Sequence, residues 1–128
     1  MVSQISQGIK ISVSSRYDAS NSKPSQRRYI HAYHVTIENL SEHTVQLLTR
    51  KWHIYDGRGT VREVSGPGVI GEQPVLASFD VHEYTSYCPL PTPVGKMNGT
   101  YGMKNLDTEE AFIVEVPEFK LIADHVRN

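Results

Sequence analysis

Polar and apolar residues alternate in short stretches along most of the chain, and this pattern limits the possible folds more than any other feature. In residues 8–17, for example, Ile9, Ile11 and Val13 lie on one parity and polar residues lie on the other. A period of two is typical of a β-strand with one buried face, and no window shows the 3.6-residue period of an amphipathic helix. Further stretches of extended character are residues 29–37, 45–55, 60–64, 75–76, 81–88, 96–103 and 111–121. About seven or eight short strands separated by turn signals predict an all-β, antiparallel β-sandwich.

The single tryptophan indicates where the core of this sandwich lies. In residues 45–55, the apolar parity is predicted to consist of Leu48, Trp52 and Ile54. A large indole stabilises a fold most when it is removed from water, so we expect Trp52 to be buried. A tryptophan in the middle of a buried strand fits an immunoglobulin-like or fibronectin-III-like core. Here that core would have no disulfide, because the chain has one cysteine.

Prolines restrict the positions of two strands. Pro89, Pro91 and Pro93 exclude a central strand through residues 89–93 and predict a connection there. Pro117 interrupts the last alternating stretch, and it predicts an edge position or a β-bulge at that point.

Length, charge and composition fit one ordinary globular domain. The 128 residues are enough to bury a core, and we expect a single domain over residues 1–128. The formal net charge is -1, and the one local basic cluster (Arg16, Lys23, Arg27 and Arg28) does not favour nucleic acid as a partner. No stretch approaches the roughly 18 apolar residues of a membrane span, and the N-terminus lacks the features of a signal peptide. We therefore expect a cytoplasmic protein with no membrane span.

Residues 65–74 form a glycine-punctuated stretch between two β-patterned halves. Gly66, Gly68 and Gly71 have the spacing G-x-G-x-x-G, which in dinucleotide-binding folds brings backbone N–H groups close to a pyrophosphate. That mechanism needs a helix after the last glycine, and the β-branched residues and proline here predict none. Two hypotheses stay open: a surface loop whose glycines allow positive φ and close backbone approach, or an N–H nest for a phosphate. Glu72 is either a solvated or turn-capping residue or a polar rim to whatever the loop binds.

Residues with catalytic or metal-binding chemistry form no recognisable site. His31 and His34 are an odd number of positions apart, so on one strand they point to opposite faces. His82 and Cys88 share a parity but would stand about 20 Å apart, too far to bind one ion. No catalytic or metal-ligand motif is present, and Cys88 has no cationic neighbour in the sequence to activate its thiol. We therefore predict no catalytic residue, no metal site and no cofactor, and a buried, unreactive Cys88.

Several segments together resemble a known family. They are Trp52, residues 66–76 (GPGVIGEQPVL), residues 83–86 (EYTS) and residues 93–101 (PVGKMNGTY). In order and spacing they resemble the ApaG family over most of the chain. The resemblance implies an immunoglobulin- or fibronectin-III-like β-sandwich with no established enzymatic activity, nominally linked in bacteria to cobalt resistance and magnesium efflux. The occurrence of the same domain in eukaryotic F-box proteins and in a polymerase-interacting protein implies protein–protein contact.

One segment departs from the family pattern. Residues 77–82 (ASFDVH) stand where the family commonly turns with Pro-Gly and resumes with an aromatic residue. At this point Phe79 and His82 could exchange core and surface positions.

These observations predict a non-enzymatic interaction module that meets a partner protein. The predicted contact surface is the glycine stretch, with Gly66, Gly68, Gly71 and Glu72, and the neighbouring extended edge. The alternative is a phosphate-, pyrophosphate- or nucleotide-binding protein that uses the loop between Gly66 and Gly71. Assembly into a homo-oligomer stays open.

Overall fold

A computed structural model describes residues 1–123, and nearly all of its regular structure is β-strand. Two single-turn 3-10 helices, Ala19–Asn21 and Pro24–Gln26, lie in the polar connection between β2 and β3. The strands are β1 (Val2–Ser6), β2 (Ile9–Tyr17), β3 (Tyr29–Asn39), β4 (Val45–Asp56), β5 (Val61–Pro67), β6 (Val75–Leu76), β7 (Val81–Leu90), β8 (Val94–Asn105) and β9 (Ala111–Ile122).

The strands form two antiparallel sheets that pack face to face. One sheet has the order β1-β2-β3-β7, and the other has the order β5-β4-β8-β9, with the short β6 also paired to β4. This confirms the predicted sandwich and is consistent with an immunoglobulin- or fibronectin-III-like fold. The nine strands include one that the alternation did not predict, β1, whose apolar residues Val2 and Ile5 are exposed. Because β1 buries no face of its own, its sequence carries no core signal.

Trp52 lies in the core between the sheets, as predicted. Only 3 % of its surface is exposed, and its ring meets those of Tyr33, Tyr101 and Phe119 edge-on at centroid distances of 5.5, 6.1 and 5.9 Å. Edge-to-face pairs are favourable because the positive edge of one ring meets the negative face of another. Both sheets contribute to this aromatic cluster, which therefore joins them.

The predicted apolar parity of β4 is wrong at one residue. Leu47 is fully buried and Leu48 is only partly buried, because the register of β4 against β8 shifts between Leu47 and Thr49. Such a β-bulge adds one residue and reverses the side-chain alternation on either side of it. Trp52 and Ile54, beyond the bulge, face the core as predicted.

The prolines lie where edge strands tolerate them. Pro117 is in β9, an edge strand, and the β8–β9 register shifts opposite it between Met97 and Gly99, so both predicted features are present. The strand β7 is longer than predicted and runs through Pro89 to Leu90, with Pro89 opposite Ile30. Because β7 is also an edge strand, the missing N–H of Pro89 costs no sheet hydrogen bond on its open side.

Candidate functional site

The two sides of the sandwich differ in how they are closed. On one side, the backbone N–H of Glu115 in β9 donates to the hydroxyl of Ser6 in β1 at 2.9 Å. The hydroxyl of Ser15 in β2 also donates to the carbonyl of Lys120 in β9 at 2.7 Å. On the other side lie β5 and β7, each of which pairs with one neighbour only among residues 1–123. This side, hereafter the open side, presents two free strand edges.

A cleft of about 280 Å³ lies between the two sheets at the open side. Apolar residues of the core form much of its wall, and two arginines, Arg50 of β4 and Arg62 of β5, extend into it. The cleft is lined by Tyr33, Arg50, Trp52, Ile54, Arg62, Val64, Ser86, Tyr87, Cys88, Pro89 and Met97. It therefore combines an apolar floor with cationic groups near the surface.

Arg50 connects this cleft to the glycine motif. Its Nη1 donates hydrogen bonds to the carbonyl oxygens of Pro67 at 2.9 Å and Gly68 at 3.0 Å. Gly66 lies opposite Arg50 in the β4–β5 register, and a Cβ atom on Gly66 would lie 3.1 Å from Nη2 of Arg50. A side chain at position 66 would therefore press against the guanidinium.

The glycine motif forms the end of a strand and a tight turn. Gly66 lies within β5 and has no positive φ, whereas Gly68 (φ 62°) and Gly71 (φ 73°) are left-handed. A Cβ atom on Gly68 would overlap the carbonyl oxygen of Glu72, so Gly68 provides the predicted close backbone approach. Within the described chain, up to residue 123, no helix follows the motif, as its sequence predicted. Gly66 does not fit the loop hypothesis, which predicted positive φ at the glycines. It lies in a strand, and its lack of a side chain leaves room for the guanidinium of Arg50.

Three N–H groups of the turn have acceptors within the protein. The N–H of Gly68 donates to Leu48 O at 2.8 Å, and Val69 and Glu72 exchange N–H···O bonds of 2.8 and 3.0 Å across the turn. Anion nests need N–H groups that point together at the ligand. The observed hydrogen bonds hold the turn together, and they engage the N–H groups of Gly68, Val69 and Glu72 within the protein.

Glu72 lies at the rim of the open side. Its Oε2 is 3.8 Å from Nε2 of His82 in β7, so the turn and the edge strand are neighbours. The carboxylate is largely exposed, and the imidazole is mostly covered. Phe79 is 75 % exposed, which places the aromatic residue outside and the histidine partly inside in the segment that departs from the family pattern.

Three buried tyrosines lie behind the arginines. The Tyr84 and Tyr101 hydroxyls are hydrogen-bonded to each other, and Tyr33 lines the cleft. Burial raises the pKa of all three phenols, and the nearby Arg50 opposes this effect only in part. At neutral pH these hydroxyls are therefore uncharged and leave the positive charge of the arginines uncompensated.

Cys88 is buried, as predicted, with 2 % of its surface exposed. Burial raises the pKa of its thiol to about 11, against the opposing effect of Arg62. No sequence signal indicated this neighbour: Nη2 of Arg62 lies 3.9 Å from Sγ and donates to the carbonyl of Pro89 at 3.2 Å. Only the proximity of β5 and β7 in the fold brings these residues together.

The histidines are dispersed. His31 is buried, whereas His34 is half-buried and lies 2.9 Å from the Glu83 carboxylate, so the two face opposite sides of β3 as predicted. In residues 1–123 no three histidine, cysteine or acidic side chains are grouped closely enough to hold a metal ion. The same part of the chain contains no helix with the length and apolar character that a membrane crossing requires.

Large apolar side chains are exposed in the glycine turn and along the segment that follows it. Ile70, Val75, Phe79 and Val81 are each at least half exposed. Phe79 also adopts a positive φ of 67°, a strained backbone conformation for an aromatic residue. Strain of this kind tends to occur at sites of function.

Comparison with known proteins identifies a family and relatives that this chain resembles in sequence. The model of the ApaG domain matches residues 19–105. The chain is 49 % identical over 128 residues to the protein ApaG of Rhodospirillum centenum, which covers 100 % of this chain and 98 % of the relative. It is 46 % identical over 121 residues to the protein ApaG of Mesorhizobium japonicum, covering 94 % of this chain and 92 % of the relative.

Solved structures agree as well. The crystal structure of the putative ApaA protein from Bordetella pertussis has 45 % sequence identity and a TM-score of 0.86, over 90 % of this chain and 93 % of that one. The C-terminal domain of wzt shares the fold alone, with a TM-score of 0.53, 11 % identity, and coverage of 95 % of this chain and 77 % of that domain. The sequence match, extending over nearly the full length, and the shared β-sandwich show that this chain belongs to the ApaG family.

Proposed function

We propose that this chain is a non-enzymatic, single-domain interaction module whose partner protein binds at the open side of the sandwich. The observation that carries the proposal is the free edge of β5, which borders a cleft and continues directly into the glycine turn. An unpaired strand edge is a template for a strand from another chain. The partner would contact this edge and the turn that contains Gly66, Gly68, Gly71 and Glu72.

Exposed apolar residues support binding next to this edge. Ile70 and Phe79 are 61 % and 75 % exposed, and aromatic residues often supply the buried anchors of protein interfaces. The strain at Phe79 also fits a side chain held outward for contact. The opposite side of the sandwich is less suited, because β9 lies against the β1–β2 hairpin there and two hydrogen bonds that involve its backbone join them. On the open side, the hydrogen bond between β5 and β7 comes from the long side chain of Arg62.

The same proposal accounts for a link to metal ions without an ion site in this chain. The family resemblance implies an association with cobalt resistance and magnesium efflux. This chain would then affect both through its partner. A partner in the cytoplasm fits the expected location of the chain. Catalysis is not needed for such a role.

Site-specific photo-crosslinking tests the proposal. A photoreactive amino acid replaces Ser65 or Phe79 at the open side, or exposed Ile113 of β9 as the matched control. We expect one discrete adduct with another protein from the first two positions and none from Ile113. Adducts from Ile113 alone, or adducts only with a second copy of this chain, would contradict the proposal.

A further inference from the structure

Three inward-facing positions follow one another along the β5 edge. They present a positive group, an apolar group and a second positive group, and we call them the row. In the β4–β5 register, Arg62 lies opposite Ile54, Val64 opposite Trp52, and Gly66 opposite Arg50. Gly66 has no side chain, and the guanidinium of Arg50 lies directly beside this position, with three of its atoms 3.1 to 3.3 Å from where a Cβ would be. From one end of the edge to the other, the row is therefore Arg62, Val64, Arg50.

Neither arginine of this row has a carboxylate partner. Among residues 1–123, ion pairs within 4.0 Å engage Arg58 with Asp56 and Lys96 with Glu118, but not Arg50 or Arg62. The hydrogen bonds of these two arginines go to neutral acceptors, the carbonyls of Pro67, Gly68 and Pro89 and the thiol of Cys88.

The surroundings of the row strengthen its positive field. The residues that line the cleft include no aspartate or glutamate, and the tyrosines behind it are uncharged at neutral pH. Charges beside low-dielectric walls attract a counter-charge more strongly than charges on an open surface. The cleft thus presents two uncompensated cations to whatever binds at the edge.

The spacing of this row matches that of another β-strand. Side chains on one face of a strand repeat every two residues, about 6.6 Å, so the rungs of Arg62 and Gly66 are about 13 Å apart. An added strand along β5 would place its own same-face side chains on the same rungs. Acidic side chains at its first and fifth positions, with an apolar one at the third, would complement Arg62, Val64 and Arg50.

We infer that the open side binds an extended acidic segment, of the pattern acidic-x-apolar-x-acidic, that adds to β5 as a strand. This inference rests on the proposed function and specifies the chemistry of the partner. The outward face of β5 makes the register specific, because it carries Glu63. A shift by one residue would turn the acidic groups away from the arginines and towards this carboxylate.

Synthetic peptides test the inference on the full chain. The first has the central sequence Glu-Thr-Val-Thr-Glu, blocked at both ends. A second has the same composition, but its two glutamates directly flank the valine, which places them on the opposite face. Binding is followed by the fluorescence of Trp52, the one tryptophan in the chain, which lies in the cleft wall. We expect the first peptide to bind at least about tenfold more tightly than the second.

Variants identify the groups responsible. Arg62→Gln and Arg50→Gln should each weaken binding of the first peptide by about tenfold or more. Each substitution removes a charge-assisted hydrogen bond to a glutamate of the peptide. Lys51→Gln, which removes the same charge from the neighbouring exposed position of β4, should change affinity less than about twofold. Thermal melting checks that the Arg50→Gln variant still folds. If that variant does not fold, the affinity of the Arg62→Gln variant decides the test.

The outcomes separate this inference from the proposed function. Equal affinity for the two peptides, or unchanged affinity in Arg62→Gln, would overturn the acidic-strand inference. If the crosslinks at Ser65 and Phe79 still form, the proposed function stands without it, and if they fail as well, both fall. Displacement of the first peptide by millimolar pyrophosphate but not by acetate would also overturn the inference, since it would make the cleft a phosphate site.

Discussion

The guanidinium of Arg50 occupies the space that a side chain on Gly66 would fill, 3.1 Å from the position of the missing Cβ. From there Arg50 donates to the carbonyls of Pro67 and Gly68, so one residue joins strand β4, the glycine turn and the cleft. The first glycine of the G-x-G-x-x-G motif is therefore explained by packing around an arginine.

Substitution of Gly66 should disturb this arrangement. Gly66→Val would displace the Arg50 guanidinium from its carbonyl acceptors, and we expect a loss of about 1 to 3 kcal/mol in the free energy of unfolding. Urea unfolding measures it. Gly71→Asn is the matched control, because a Cβ at Gly71 has no neighbour within 4 Å and asparagine tolerates the left-handed conformation. A Gly66→Val variant as stable as the parent would contradict this role of the glycine.

Trp52 should contribute strongly to stability. Trp52→Ala would leave a cavity among Tyr33, Tyr101 and Phe119, at a cost of about 3 to 5 kcal/mol in the free energy of unfolding. Denaturant unfolding followed by circular dichroism provides the measurement, since the variant has no tryptophan signal. A midpoint equal to that of the parent would show that the aromatic cluster does not hold the two sheets together.

The Cys88 thiol should be unreactive in the folded protein. It is buried and its raised pKa keeps it protonated at neutral pH, so we expect labelling by a thiol reagent to be more than about tenfold slower than in denaturant. Arg62→Gln tests the contribution of the neighbouring cation: its loss should raise the pKa of the thiol further. Labelling of the native protein at the denatured rate would show an exposed thiol instead.

The same thiol should make stability depend on alkaline pH. Burial raises its pKa from 9.0 to about 11 in the folded state, so the folded chain keeps its proton where the unfolded chain loses it. The contribution of Cys88 is therefore complete below pH 9 and is lost as the pH rises from 9 to 11. Cys88→Ala should reduce the fall in melting temperature over this range. An identical fall in parent and variant would contradict the shift.

Nucleotides should not bind the glycine turn. The N–H groups of Gly68, Val69 and Glu72 have acceptors within the protein, and the motif lacks the helix that would hold a polyanion. We expect no heat of binding in calorimetry with ATP, GTP or pyrophosphate, with or without magnesium. Micromolar affinity for any of them, about -8 kcal/mol, would favour the phosphate hypothesis, particularly if Gly68→Val abolished it and Glu72→Gln did not.

The extent to which this fold follows from its sequence depends on which strands bury a face. The alternation in β2, β3 and β8 is visible because one face of each meets the core, and this was enough to predict the sandwich. The strand β1 has no such face. The bulge at Leu47 is invisible to a periodicity argument, because either parity of β4 contains a leucine there.

The candidate site was harder to predict because it depends on contacts between distant strands. The glycine spacing marked one end of it, and the absence of a helix in the motif was correctly predicted. The positions of Arg50 and Arg62 gave no signal, since isolated arginines in strands are common on solvated faces. Only the pairing of β4 with β5, and the approach of β5 to β7, places both in one cleft.

Backbone amide exchange of the complex tests the central claim most directly. With the partner identified by crosslinking, hydrogen exchange is compared for the free and the bound chain. An added strand would give hydrogen-bond partners to the free edge of β5, so amides in Val61–Pro67 should exchange more slowly in the complex. Those of β9 should not change. Slower exchange confined to β1 and β9, with β5 unaffected, would contradict binding at the open side.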